Sequence, residues 1–182
     1  MKIAGTDLPE VRIVEPVSFG DERGFFYESW NARAFAEAGI GGDFVQDNHS
    51  GSARGVLRGL HYQVQQPQGK LVRVIAGRAF DVAVDLRRSS PRFGRWTAVE
   101  LSAANRRMLW VPAGFGHGFL SLEEGTELLY KCTAYYAPEH DRSILWSDPA
   151  IGIEWPLRGI GDPIVSAKDA AGVQLDRADV YA

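Results

Sequence analysis

Between Gln46 and Gln63 the chain reads QDNHSGSARGVLRGLHYQ, which sets Gln46, Asn48, Arg58, His61 and Gln63 among Val and Leu, with Lys70 shortly after. An imidazole titrates near neutral pH, so His61 at the centre of this run is a candidate general acid or base. Buried polar groups need partners, and so many of them in an apolar-interleaved segment point to a polar pocket. The plainer alternative is a core histidine satisfied by backbone. On a regular strand Arg58 and His61 face opposite ways, but Gly59 between them can host a bulge that re-aims one side chain.

The four histidines are His49, His61, His117 and His140. Metal sites in small β-barrels commonly use two histidines one residue apart, a nearby Glu and a later His. Here Gln63 stands where the second His is needed, and only the later element survives, as PAGFGHG with His117. Two imidazoles and a neutral amide hold a divalent ion poorly, so no metal and no other cofactor is expected.

Three further segments carry candidate groups. In ELLYKCTAYY a period of two puts Tyr130, Cys132, Ala134 and Tyr136 on one face, and Lys131, Thr133 and Tyr135 on the other. An inward phenol can donate a proton or stack on a base; it can also simply pack a core. In FGDERGFFYESW, Arg23 has the planar fork that suits phosphate, although a solvated loop charge is the plain reading. In SAKDAAG, Lys168 and Asp169 read as a helix start, and Asp169 can orient His61 only if the fold brings them together.

The elements that must position these groups are short. Apolar-alternating runs separated by Gly, Pro, Asn and Ser recur along the chain, as in a sandwich or barrel. LVRVIAG (71–77) and RAFDVAVDLR (78–87) are expected to form a hairpin, with Phe80, Val82, Val84 and Leu86 alternating with Ala79, Asp81, Ala83 and Asp85. The series continues through 95–102, 107–112, 117–123 and 127–136. One short helix is capped by Asn31 and closed by Gly39, and a weaker helical patch lies near Ala167 to Ala171. The expected class is all-β, a jelly roll of antiparallel strands with a few short helices.

Length and composition fit one domain spanning 1–182 with a real core: the chain has 182 residues and is 45% hydrophobic and 24% charged. A net charge of -3 argues against nucleic-acid binding, so an anionic ligand must be held by a few placed Arg and Lys residues. Cys132 is the only cysteine, which rules out an internal disulfide and fits a reducing cytoplasm. With no signal-like N-terminus and no long apolar run, a cytoplasmic protein without a membrane span is expected.

In order along the chain, DERGFFYE, QDNHS, GVLRGLHYQ, KLVRVIAG, FDVAVDLR, PAGFGHGF, YKCTAYY and SILWSDPAIGIEWP resemble the dTDP-4-dehydrorhamnose 3,5-epimerases across almost the whole sequence. The resemblance implies a cupin-like jelly roll that works without metal, usually as a homodimer, on a dTDP-linked 4-keto-6-deoxyhexose. It implies His61 as general base, Asp169 as the carboxylate that orients it, Lys70 as the cation on the enolate oxygen and Tyr130 as the opposing proton carrier. The implied binding set is Arg23, Phe26, Glu28, Gln46, Asp47, Asn48, Arg58, Lys70, His117, Tyr136, Asp141 and Lys168. Within it Arg23 and Arg58 face the diphosphate, Tyr136 stacks on thymine, and some N-terminal residues serve the partner subunit's site. Asp141 stands where relatives commonly carry Glu, and its shorter side chain is expected to reach its partner through water. The implied setting is L-rhamnose supply for bacterial surface polysaccharide such as lipopolysaccharide. The alternatives are an epimerase of C3 alone or C5 alone, a metal-dependent cupin enzyme, and a non-catalytic nucleotide-sugar binding module.

Overall fold

The computed structural model describes residues 1–182. Its elements begin with β1 (Lys2–Gly5), β2 (Arg12–Glu15), β3 (Ser18–Asp21), β4 (Gly24–Tyr27), α1 (Ala32–Glu37), β5 (Gln46–Ser52) and β6 (Leu57–Gln63). They continue with β7 (Lys70–Ala76), β8 (Arg78–Asp85), β9 (Trp96–Ser102), β10 (Met108–Val111), β11 (Phe115–Ser121), β12 (Thr126–Cys132), β13 (Asp141–Ser143) and α2 (Ala167–Ala170). The strands form a six-stranded sheet, β1-β2-β10-β7-β12-β5, and a five-stranded sheet, β13-β6-β11-β8-β9, with β3 and β4 paired only to each other. Val72, Val74, Leu109 and Leu128 of the first sheet share one core with Ala79, Ala83, Leu101, Phe115 and Phe119 of the second. This is the expected double-sheet jelly roll.

Residues 71–77 and 78–87 do not form a hairpin. β7 lies between β10 and β12 in one sheet, whereas β8 lies between β11 and β9 in the other. The chain turns the corner at Gly77, where φ is +69° and a Cβ would sit 2.6 Å from Thr126 Oγ1, so a side chain has no room. The period of two in β8 holds, but its bulky face turns away from the barrel. Val82, Val84 and Leu86 pack with Leu60, Tyr62, Ile144, Ile151 and Leu175 in a second core, leaving the small Ala79 and Ala83 for the interior. The C-terminal segment supplies the cover that makes this possible. It is pinned by Val173 N–H to Ser143 O (2.9 Å), Tyr62 Oη to Asp179 O (2.6 Å) and Tyr181 Oη to Gln63 O (2.7 Å).

Both helices start as read. Asn31 Oδ1 accepts from Ala34 N–H to cap α1, Gly39 follows the last turn at φ +67°, and Ser166 caps α2.

The element that matters most for the site is β6. Its register against β11 pairs His61 with His117 but Arg58 with Phe119, so three steps of β6 oppose two of β11. Opposed residues share a face, and this bulge therefore turns Arg58 and His61 to the same side. Gly59 sits inside it at φ +118°, where a Cβ would lie 2.6 Å from Gly118 Cα and 2.8 Å from the His117 carbonyl oxygen. Gly59→Ala is expected to lower stability by about 3 kcal/mol or more, measured by denaturant unfolding, because both the backbone conformation and the close strand approach exclude a methyl.

Candidate active site

The bulge delivers His61 to a cavity of about 340 Å³ between the sheets, lined also by Gln46, Asn48, Gln63, Gln68, Lys70, Tyr130, Tyr136, Asp141 and Lys168. The walls follow from strand register. Tyr130 pairs with Asn48 and Val72, and Cys132 pairs with Gln46 and Lys70, so these alternate residues of β5, β7 and β12 all turn inward. His61 stands on the opposite wall; His117, its neighbour across β6 and β11, is buried and does not line the cavity.

His61 Nε2 lies 2.5 Å from Asp169 Oδ1. The carboxylate is 3% exposed and comes from the first turn of α2, so the helix start at Lys168 and Asp169 also supplies the partner of His61. Burial pushes the Asp169 carboxyl up, but the His61 bond and charge, the Ser166 hydroxyl and the Gly59 backbone N–H outweigh it, leaving the acid below its ordinary range. With the carboxylate accepting at Nε2, the neutral ring is held in the tautomer that has its proton on that nitrogen and leaves the lone pair on Nδ1. A second pair, His117 Nε2 to Asp81 Oδ1 at 2.9 Å, is wholly buried, and Asp81 Oδ2 has no protein partner. Asp81 escaped sequence reasoning; the available signal was an acid among the inward residues of an apolar strand.

Lys70 is only 8% exposed. Burial lowers its pKa, and the charges of Asp141 and Asp81 only partly restore it. Burial raises the pKa of Tyr130, with Cys132 and Asp141 adding to it against Arg58, so the phenol keeps its proton at neutral pH.

At the mouth, Asp141 Oδ2 accepts from Tyr136 Oη (2.9 Å) and from Lys168 Nζ. The shorter acid thus reaches both partners directly, without the bridging water expected from its length. Tyr136 is not on the strand face with Tyr130, because β12 ends at Cys132. Gly69 N–H donates to Thr133 Oγ1, and the chain then leaves the sheet. Tyr136 still faces the cavity, held by its N–H on Gln46 Oε1. Gln63 bridges loops, donating to Gln66 O and Tyr135 O and accepting from Ala137 N–H, so it is committed to structure where a metal ligand was considered. No three His, Cys, Asp or Glu side chains converge to hold a metal ion.

Several expected binding residues lie elsewhere. Arg58 shares the inward face but reaches out to Ser52 Oγ and Gly51 O. Asp47 points to the outer face of β5, paired with Lys131 at 3.0 Å, because the same alternation that turns Gln46 and Asn48 in turns it out. Glu28 accepts from Asn31 beside α1. Arg23 is held by Asp21 on the β3–β4 hairpin, with Phe26 70% exposed nearby.

The family model for dTDP-4-dehydrorhamnose 3,5-epimerase matches residues 5–177. The chain belongs to that family. A dTDP-4-dehydrorhamnose 3,5-epimerase of Pseudomonas aeruginosa is 57% identical over 182 residues, covering 100% of this chain and 99% of the relative. Among solved structures, the dTDP-6-deoxy-D-glucose-3,5-epimerase of Legionella pneumophila, in complex with dTDP-4-keto-L-rhamnose, is 52% identical with a TM-score of 0.94. The match covers 98% of this chain and 94% of that one. A 3'-monoepimerase of Streptomyces bikiniensis in complex with dTDP-quinovose is 34% identical with a TM-score of 0.88, covering 94% of this chain and 87% of that one. The family's cupin-like fold is the one described above.

The buried Lys70 gives a stability test independent of turnover. Its folded-state pKa lies below the ordinary 10.5 of the unfolded chain. Between the two values the unfolded state binds the extra proton, so raising the pH through that window stabilises the protein. Lys70→Met lacks this slope. It is expected to be about 1 kcal/mol or more stabler than wild type at neutral pH, with the gap narrowing as the pH climbs, measured by thermal melts.

Proposed function

We propose that this chain is one cupin-like epimerase domain, residues 1–182, that inverts C3 and C5 of dTDP-4-dehydro-6-deoxy-D-glucose to give dTDP-4-dehydro-L-rhamnose. The observation that carries the reading is that His61, backed by Asp169, faces Tyr130 and Lys70 across a single cavity. A ketone at C4 acidifies the C–H bonds at C3 and C5. His61 removes each proton from one side, and the Lys70 ammonium stabilises the enolate oxygen because a pre-placed cation lowers the barrier where negative charge develops. Tyr130, on the opposite sheet, returns a proton to the other face, which inverts the centre. Gln46, Asn48, Tyr136, Asp141 and Lys168 bind the sugar and nucleotide, with Tyr136 stacking on thymine.

Arg23, Phe26, Glu28 and Asp47 fit this scheme through a homodimer. The β3–β4 ribbon pairs with no other strand and exposes Phe19, Phe25 and Phe26 at 65%, 61% and 70%. An isolated two-stranded ribbon is marginal in water, and clustered exposed aromatics mark a contact surface. A partner subunit receiving this ribbon gains Arg23 beside Arg58 for the diphosphate. The unpaired, buried Cys132 supports a reducing cytoplasmic setting, and no helix is long and apolar enough to cross a membrane.

Proton NMR of dTDP-4-keto-6-deoxyglucose incubated with the protein in heavy water tests the reading. Loss of both the C3 and C5 proton signals, with an L-configured product trapped by reduction, is expected, from a protein that sediments as a dimer. Exchange at one carbon alone assigns a mono-epimerase, and no exchange by folded dimer removes the catalytic reading.

A further inference from the structure

The Ser166-Ala167-Lys168-Asp169 segment has the spacing of a capping box, in which the acid at the third helical position folds back onto the cap residue's own backbone N–H. Asp169 is turned to another use. Its Oδ1 meets His61, while its Oδ2 accepts from Ser166 Oγ at 2.9 Å, and the same Oγ accepts from the Asp169 backbone N–H at 3.1 Å. One hydroxyl, with one donor and one acceptor function used, therefore locks both the helix start and the plane of the carboxylate. With only His61 on Oδ1 and the Gly59 backbone N–H to hold it, the carboxylate can still swing about its last torsion, which is broad for Asp. Engaging the second oxygen removes that freedom.

We propose that Ser166 is a positioning residue: its hydroxyl fixes the Asp169 carboxylate, which in turn keeps the proton of His61 on Nε2 and Nδ1 basic. Ser166 does not line the cavity and acts only through Asp169. Its effect on turnover rests on the epimerase reading; its effect on the His61 tautomer does not.

Ser166→Gly separates the hydroxyl from the cap, since glycine at an N-cap is only a few tenths of a kcal/mol poorer than serine. The variant is expected to fold normally and to exchange the C3 and C5 protons roughly tenfold more slowly at unchanged KM, the size of one lost hydrogen bond to a charged group. Nitrogen NMR of the His61 ring is expected to report mixed tautomers where wild type shows one. Ser166→Thr, which restores a hydroxyl, is expected within about twofold of wild type in both readouts. In an Asp169→Asn background Ser166→Gly is expected to add no further loss. A wild-type rate with a single His61 tautomer in Ser166→Gly overturns the assignment, and so does a full additional loss in the Asp169→Asn background. Should wild type itself fail to exchange either proton, the epimerase reading falls while the tautomer measurement still decides the role of Ser166.

Discussion

At Gly59 the β6 strand sets three steps against two of β11, and the cavity depends on that mismatch. A regular strand would send His61 and Arg58 to opposite sides. It would also carry His61 away from Asp169, which arrives from a helix 108 positions further along the chain. The bulge tolerates no side chain at its centre, because the backbones of β6 and β11 approach too closely there. A packing constraint between two strands thus fixes a chemical group, and the C-terminal segment then fixes that group's partner.

The opposing wall shows the same economy with the charges reversed. Lys70, Tyr130, Gln46 and Asn48 turn inward through ordinary strand alternation, without a bulge. Their setting is unfavourable for a free-standing protein: a buried ammonium whose pKa is depressed, and a phenol held protonated by desolvation. Such groups persist where selection favours a poised site over maximal stability. Together the two walls set an imidazole, a cation and a phenol around one small volume, group types that can move protons beside a carbonyl.

Much of this was legible in the sequence, for identifiable reasons. Strand period and turn residues gave the all-β class and most strand positions, and Gly59 between Arg58 and His61 marked the bulge. Long-range relations were not legible from pattern alone. The partnership of His61 with Asp169 was available only through the family resemblance, and that of His117 with Asp81 not at all, because period-two patterns do not encode which elements become neighbours. The expected hairpin at 71–87 failed because Gly77 marks a passage between sheets, and a glycine there reads the same as a tight turn. Tyr136 kept its place at the cavity although the strand carrying it ends earlier, its position set by Gln46 and Asp141 instead of by alternation. The helix start at Lys168 and Asp169 was visible, but that the Ser166 hydroxyl caps it and also holds a carboxylate needed the side-chain geometry.

The most direct test is to follow, in heavy water, solvent exchange and inversion at C3 and C5 of dTDP-4-keto-6-deoxyglucose for His61→Asn and Tyr130→Phe. If the two groups work from opposite walls, His61→Asn loses both exchange and inversion, because every deprotonation needs the base. Tyr130→Phe then keeps much of the exchange while inversion collapses, since the carbanion is reprotonated on its original face. Equal losses of exchange and inversion in Tyr130→Phe, or persistent exchange in His61→Asn, would contradict the opposed-wall arrangement.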